Sequence, residues 1–380
     1  MRKDKLLMTP GPTMLPPEVL AASSKQIIHH RTKEFGAIFT RVNEKLKQVF
    51  STTQPVMTLT GSGTAGMEAA VVNCFSPGDQ VIVASIGSFG DRFKKITTTY
   101  GLDVIPYDVP WGQAVDVATL KAMIADHPNL KGVFITHNET STGVMNDIQA
   151  VAALTKNTDI LLIVDSVSAM AGIPLEFDAW GVDVAIAGSQ KALMIAPGIV
   201  YICLSKKAQD AMERSTFPKF YFNLKSYMKS VLDNDTPFTP AITLIIAQEA
   251  ALDLILAEGM PAIYARHHKM ANATRAGVKA LGLKLFADEA HASDLITSVD
   301  GPEGVDVEAV RKLMNQRYNI MITGGQGHLK GRILRIGHMG YVDGFDLVKC
   351  FEALEYALAE CGYKFTQGAG VAAVHAAMAE

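Results

Sequence analysis

Residues 160–193 read ILLIVDSVSAMAGIPLEFDAWGVDVAIAGSQKAL. Two wholly apolar runs, ILLIV and VAIA, lead into polar residues: Asp165-Ser166 after the first, Ser189-Gln190-Lys191 after the second. Runs that are apolar at every position suit strands covered on both faces, as in a parallel sheet flanked by helices. Ligands of such sheets bind just outside the carboxyl ends of the strands, and Asp165 and Lys191 both stand there. A carboxylate in that place is costly unless a cation or a donor meets it, although Asp is also a common helix cap. A lysine among Ala185, Ile186, Ala192 and Leu193 is partly desolvated, which disfavours the ammonium and favours a nucleophilic amine.

The same texture extends outward from residue 56 to about 205. The runs VMTLT, QVIVAS, DVIPYDV, KGVFITH and IVYICLS alternate with helical patterns such as TAGMEAAVVNCF and VATLKAMIADH, punctuated by turns at Ser76-Pro77-Gly78-Asp79 and Pro197-Gly198. This is the pattern of an α/β domain with a mostly parallel central sheet. After Pro240 come two long helical patterns, 241–259 and 261–281. Short strands follow (LKLFA, DLITSVD, NIMIT, RILRIGH), with helices near 306–318 and 344–360, which reads as a smaller α+β C-terminal domain. The expected organisation is a proline-rich arm over 1–20, a large domain over 21–250, a small domain over 251–364, and a frayed or partly helical tail over 365–380.

Composition excludes several classes. The 380 residues carry 35 Lys and Arg against 38 Asp and Glu, a net charge of -3, too balanced for a chain whose main partner is nucleic acid or an anionic membrane. Cys74, Cys203, Cys350 and Cys361 lie far apart with no C-x-x-C pair, and His29-His30 and His267-His268 are adjacent and so cannot converge on one ion from a helix. No metal site is expected. The stretch AITLIIAQEAALDLILAEG is interrupted by Gln248, Glu249 and Asp253, which suits a buried helix better than a membrane span. Pro10 interrupts the N-terminus before a targeting stretch can form, so a cytoplasmic location is expected.

Gly61-Ser62-Gly63-Thr64-Ala65-Gly66 follows an apolar strand and opens a helix. It matches the letter of a dinucleotide fingerprint, but the acidic residue that should end the next strand is missing: Asp79 precedes VIVAS, which runs into Ser85 and Ile86. What remains is a turn whose amides and hydroxyls can receive a phosphate, or else a plain Gly-rich turn. A phosphate turn, an aspartate at one strand end and a lysine at the next are together the groups needed to hold pyridoxal phosphate. The turn would bind the phosphate, Lys191 would form the Schiff base, and Asp165 would pair with the pyridinium nitrogen.

The strings TPGPTMLP, TGSGTAGMEAA, THNETSTGV, VDSVSAMAG, GSQKAL and RILRIGHMG, in this order, resemble the class V aminotransferases of pyridoxal-phosphate fold type I over about residues 8–362. Within that family the alanine-glyoxylate and serine-pyruvate (serine-glyoxylate) group is the nearest resemblance. The resemblance implies that Lys191 is catalytic and that Ser62, Gly63, Thr64 and Gln190 lie on the phosphate side. It places Phe89 and Val167 on opposite faces of the ring, Thr140 by the phenolic oxygen, and Asp165 at the ring nitrogen. Arg335 becomes the substrate's carboxylate clamp, and Gly11 part of an arm over the substrate. Thr236 and Thr239 reach the phosphate of a neighbouring subunit, which implies a homodimer. The implied reaction is a ping-pong transfer from alanine or serine to glyoxylate or pyruvate. Aspartate, 2-aminoethylphosphonate and ureidoglycine remain alternative donors. A cysteine desulfurase or lyase on the same fold is disfavoured, because Gln190 precedes the lysine and ITGGQGHLKGR contains no cysteine.

Overall fold

A computed structural model describes residues 4–379. Its centre is a seven-stranded sheet built from β1 (Val56–Thr60), β2 (Gln80–Ser85), β3 (Asp103–Asp108), β4 (Gly132–Thr136), β5 (Leu161–Asp165), β6 (Val184–Gly188) and β7 (Ile199–Leu204). The spatial order is β1-β7-β6-β5-β4-β2-β3, and only β7 runs antiparallel to its neighbours. Every residue of β4 to β7 is buried, which is why their sequences do not alternate. β3 is the partly exposed edge and tolerates Pro106 there. Parallel pairing sets Asp165 opposite Thr136 on one side and Ile186 on the other. The polar residues after β5 and β6 therefore leave the sheet at one edge.

Two helices of the large unit bear on the site. α1 (Gly63–Cys74) starts from the Gly-rich turn after β1, and α2 (Ser88–Thr99) starts after β2. Further on, α3 (Ile242–Glu258) is buried through Ile242, Ile245, Gln248, Leu252 and Ile255 in the large core, so the expected division at 250/251 falls inside this helix. Its buried Gln248 accepts a hydrogen bond from the Tyr201 hydroxyl at 2.7 Å. Among the described residues no helix is long and apolar enough to cross a membrane. α4 (Met260–Ala280) begins in the large core at Ile263 and ends in a second core through Met270, Ala273 and Val278.

That second core lies under a small antiparallel sheet of β8 (Ile296–Asp300), β9 (Thr323–Gly324) and β10 (Ile333–Gly337), with β10 in the middle. The run LKLFA does not form the expected strand. Its pairing stops at an isolated bridge between Leu285 and Val299. The C-terminal segment is also more ordered than composition suggests. After α5 (Gly344–Glu360), Ala369–Ala379 forms α6. Val374 is fully buried and touches the helix face at Gly277, while Glu355 accepts the amides of Gly368 at 2.5 Å and Val371 at 3.0 Å. Ala-rich sequence is a good helix former, and here burial and a carboxylate cap hold it.

The N-terminal arm is the remaining link. Leu6–Leu7 pairs in parallel with Ile320–Met321, and Gly337 donates its amide to Met8 O at 2.9 Å. Thr13 then bonds to the turn holding the lysine, through its amide to Gln190 O at 3.2 Å and its hydroxyl to Lys191 O at 3.0 Å. The arm thus ties the small sheet to the end of β6.

Candidate active site

Lys191 is half-buried one turn beyond β6 and donates to Pro10 O. Gly11 packs directly on it: a Cβ built at Gly11 would lie 2.5 Å from Lys191 Cδ and 2.7 Å from Nζ. At φ +106° the backbone there also favours glycine. Burial pushes the amine of Lys191 down to about 8, against the pull of Asp165 and with the help of Arg335 and Arg92. Asp165 is 4% exposed, and its carboxylate accepts the Val167 amide at 2.9 Å. Burial raises it to about 6, while that hydrogen bond, Arg92 and Lys191 draw it back. At neutral pH it remains mostly an anion facing a lysine with a lowered affinity for its proton.

Val167 sits between two glycines. A Cβ at Gly63 would lie 2.6 Å from Val167 Cγ2, and one at Gly188 would lie 2.9 Å from Cγ1 and 3.3 Å from Gln190 Oε1. Close approach of the α1 N-terminus to the end of β6 thus depends on missing side chains. Ser62 is the N-cap of α1 but does not turn its hydroxyl back on the helix. The first-turn amides of Gly63 and Thr64 point out of the helix without an internal partner, and the dipole favours an anion there.

Arg335, in the middle of the small sheet, is 4% exposed. Its Nε donates to Gly324 O at 2.7 Å and its Nη1 to Thr140 O at 2.6 Å. Two of five N–H groups are so occupied, and among the described residues Nη2 has no hydrogen-bond acceptor. Burial lowers its affinity for the proton to about 10, with Glu139 working the other way, so it remains a cation at neutral pH. Thr140 therefore meets Arg335 through its carbonyl.

Matching against known families gives Aminotransferase class-V over residues 6–336. The chain belongs to the class-V aminotransferases. It is 43% identical to a protein of Synechococcus sp. (strain PCC 6716) described as the small subunit of a soluble hydrogenase, over 98% of each chain. It is 36% identical to the serine–glyoxylate aminotransferase of Arabidopsis thaliana, over 97% of this chain and 93% of that one. It is 35% identical to the L-aspartate–glyoxylate aminotransferase of Paracoccus denitrificans, over 98% and 96%. The crystal structure of pyridoxamine-pyruvate aminotransferase from Mesorhizobium loti superposes with a TM-score of 0.95 at 30% identity, over 99% and 97%. This aminotransferase is therefore an enzyme of the fold-type-I architecture, with the mixed α/β organisation described above.

Two side chains of this aminotransferase escape sequence reasoning. Glu139 is fully buried and accepts the amides of Phe89 (2.9 Å), Gly90 (3.2 Å) and Ser141 (3.1 Å), and the Ser141 hydroxyl (2.5 Å). It fixes the start of α2, and with it Phe89, to the segment whose Thr140 carbonyl holds Arg335. Burial raises its pKa, and the four bonds oppose that. The only signal in the sequence is a carboxylate inside an otherwise neutral turn, HNETSTG. The second is Arg92, one helical turn after Phe89. Its Nη1 donates to Thr64 Oγ1 at 2.9 Å, and its guanidinium carbon lies 4.7 Å from the Phe89 ring centroid.

Thr236 and Thr239 are placed differently from the rest. Thr236 is buried and bonds Phe238 O at 2.8 Å, Arg31 donates to its carbonyl at 2.6 Å, and Thr239 is exposed. Among the described residues neither bonds to Lys191, Asp165 or Arg335. The segment does lead back toward the Gly-rich turn, where the Ala241 amide donates to Thr60 Oγ1 at 3.1 Å.

Gly63→Ala is expected to weaken cofactor binding by about tenfold, roughly 1.4 kcal/mol, because the new methyl displaces Val167. Titration of the cofactor-free protein with pyridoxal phosphate measures this. An unchanged affinity would show that the Gly63–Val167 contact does not shape the site.

Proposed function

We propose that the chain transfers an amino group from a small amino acid, alanine or serine, to glyoxylate or pyruvate, using pyridoxal 5'-phosphate held at the ends of β5 and β6. The observation that carries this reading is the desolvated Lys191 beside buried Asp165, beneath the arm and within the field of Arg335. The residues fit the group. The open N-terminus of α1 with Ser62 and Thr64 suits a phosphate, Gln190 lies beside the lysine on that side, Asp165 suits a protonated ring nitrogen, and Val167 and Phe89 offer apolar surfaces to a ring. When bound, the cofactor supplies an electron sink for a carbanion at the substrate's Cα.

The chain's own residues do the rest. Lys191 would hold the cofactor covalently; displaced by an incoming amine, its free amine would take the proton from the substrate's Cα and deliver it to the cofactor's C4'. Arg335 fixes the substrate carboxylate and so orients the Cα–H bond. Asp165 holds the proton at the ring nitrogen. Gly11 and Pro10 cover the lysine and limit the space for a large side chain. One buried, outward-reaching clamp fits a monocarboxylate donor.

The enzyme is proposed to act as a homodimer. Phe220 is 82% exposed and clusters with Tyr221 and Phe238, whose ring centroids lie 5.2 Å apart, and the Tyr221 hydroxyl bonds Thr60 O at 3.1 Å. An exposed aromatic cluster beside the phosphate turn and next to Thr236 and Thr239 suits a subunit contact.

The test is to load the protein with pyridoxal phosphate and add L-alanine or L-serine without a keto acid. Loss of the visible band, restored by glyoxylate or pyruvate, is the expected result. A band that responds only to L-aspartate would replace the donor class, and absence of any band would overturn the reading. A pH profile follows from Lys191. Below about pH 8 its amine is protonated and inert, so capture of the cofactor should quicken about tenfold per pH unit up to 8 and level off above. Stopped-flow absorbance checks this, and a flat profile over pH 6–8 would contradict it.

A further inference from the structure

Every side chain assigned above to the phosphate side (Ser62, Thr64, Gln190, Thr236 and Thr239) is neutral, as is the backbone at Gly63. A phosphate monoester carries nearly two negative charges at neutral pH. Arg92 is bonded to one of these residues, Thr64, from the α2 side. Its second contact is the Phe89 ring. Among the described residues no carboxylate lies within ion-pair distance of Arg92, although it is partly buried. A guanidinium drawn out of water without a carboxylate partner is unbalanced until an anion arrives, and among the described residues four of its five N–H groups have no hydrogen-bond acceptor.

We propose that Arg92 is a positioning residue for the cofactor: it holds Thr64 and Phe89 in one arrangement and supplies positive charge beside the phosphate turn. This rests on the pyridoxal-phosphate reading. Its spacing from Phe89, three residues along one helix, makes the two side chains neighbours whatever else binds. The guanidinium covers one face of the aromatic ring and leaves the other for stacking. Glu139 fixes the same helix turn through the Phe89 and Gly90 amides, so the backbone that carries Arg92 is held in place. Its charge also bears on both Asp165 and Lys191.

The test compares wild type with Arg92→Met, Arg92→Lys and Thr64→Val. Each is stripped of cofactor and titrated with pyridoxal phosphate, and the pH midpoint of the visible absorption is then measured on the loaded protein. Arg92→Met is expected to lower cofactor affinity 10- to 100-fold, on the scale of one lost charge-assisted contact, and to raise the midpoint, since a positive charge near the lysine nitrogen has gone. Arg92→Lys should restore the midpoint but only part of the affinity, because the planar fork is not replaced. Thr64→Val should lose affinity with little change in midpoint. A merely structural role would lower the thermal midpoint of unfolding without moving the spectroscopic one. Wild-type affinity and midpoint in a folded Arg92→Met overturn the proposal; should that variant not fold, the same result in Arg92→Lys and Thr64→Val together does so. A wild-type protein that takes up no cofactor overturns the underlying reading and the proposal with it, and is recognised before any variant is made.

Discussion

Lys191→Ala is expected to abolish covalent capture of pyridoxal phosphate and to reduce turnover by about 10⁴-fold or more, since a positioned general base alone contributes roughly 10² to 10⁴. The size of the effect follows from two roles in one nitrogen. In the proposed reaction Lys191 would be the attachment point, and its freed amine would be the base for the proton at Cα. Its surroundings prepare both: burial lowers its pKa to about 8, and Pro10 O, Gly11 and the Thr13 hydroxyl hold the turn around it. The alanine variant should still fold, because removing a desolvated amine takes away a group whose charge burial disfavours. Its far-UV circular dichroism and thermal midpoint are the controls. Added methylamine is expected to restore a small part of the turnover, as a free amine can do the proton transfer without the attachment. Wild-type turnover in Lys191→Ala would overturn the proposed role of this lysine.

Arg335→Lys carries the second large effect. The guanidinium is buried, bonded to Gly324 O and Thr140 O, and has Nη2 left over. An ammonium cannot reach two carbonyls and a carboxylate with fixed planar geometry. The expected loss in kcat/KM is about 10²- to 10³-fold, roughly 3 to 4 kcal/mol, close to two charge-assisted hydrogen bonds. It should fall mostly on KM for the amino acid, with cofactor binding within a few-fold of wild type, because Arg335 stands on the small sheet and not among the phosphate-side residues. Steady-state kinetics with alanine and serine, beside a cofactor titration, separate the two. An equal loss of cofactor affinity would mean that the arginine serves the cofactor and not the substrate.

Much of this architecture could be read from residue order. The uninterrupted apolar runs of β4 to β7 announce a covered sheet, and the turns that follow them carry Asp165 and Lys191 to one edge because parallel strands share their direction. The Gly-rich start of α1 was legible for the same local reason. Other features were not. LKLFA has the composition of a strand but only one bridge to pair with. The C-terminal Ala-rich segment reads as a frayed or partly helical tail, yet Glu355 and the Gly277 face give it a dock, and both partners lie outside the segment itself.

What the sequence determined by itself is therefore the fold and the placement of Asp165 and Lys191 at one edge of its sheet. These follow from uninterrupted apolar runs set between helical patterns of about 3.6 residues, and from the direction that parallel strands share. The tertiary structure alone decided that Arg335 hangs from the carbonyl of Thr140, that Glu139 ties this carbonyl's segment to Phe89, that Arg92 reaches Thr64, and that Pro10 and Gly11 close over Lys191. Each of these joins side chains or carbonyls carried on different elements, up to 195 residues apart for Arg335 and Thr140. Local propensity reaches about one helical turn or one strand pair, and beyond that only the packing of the two cores decides which polar groups meet.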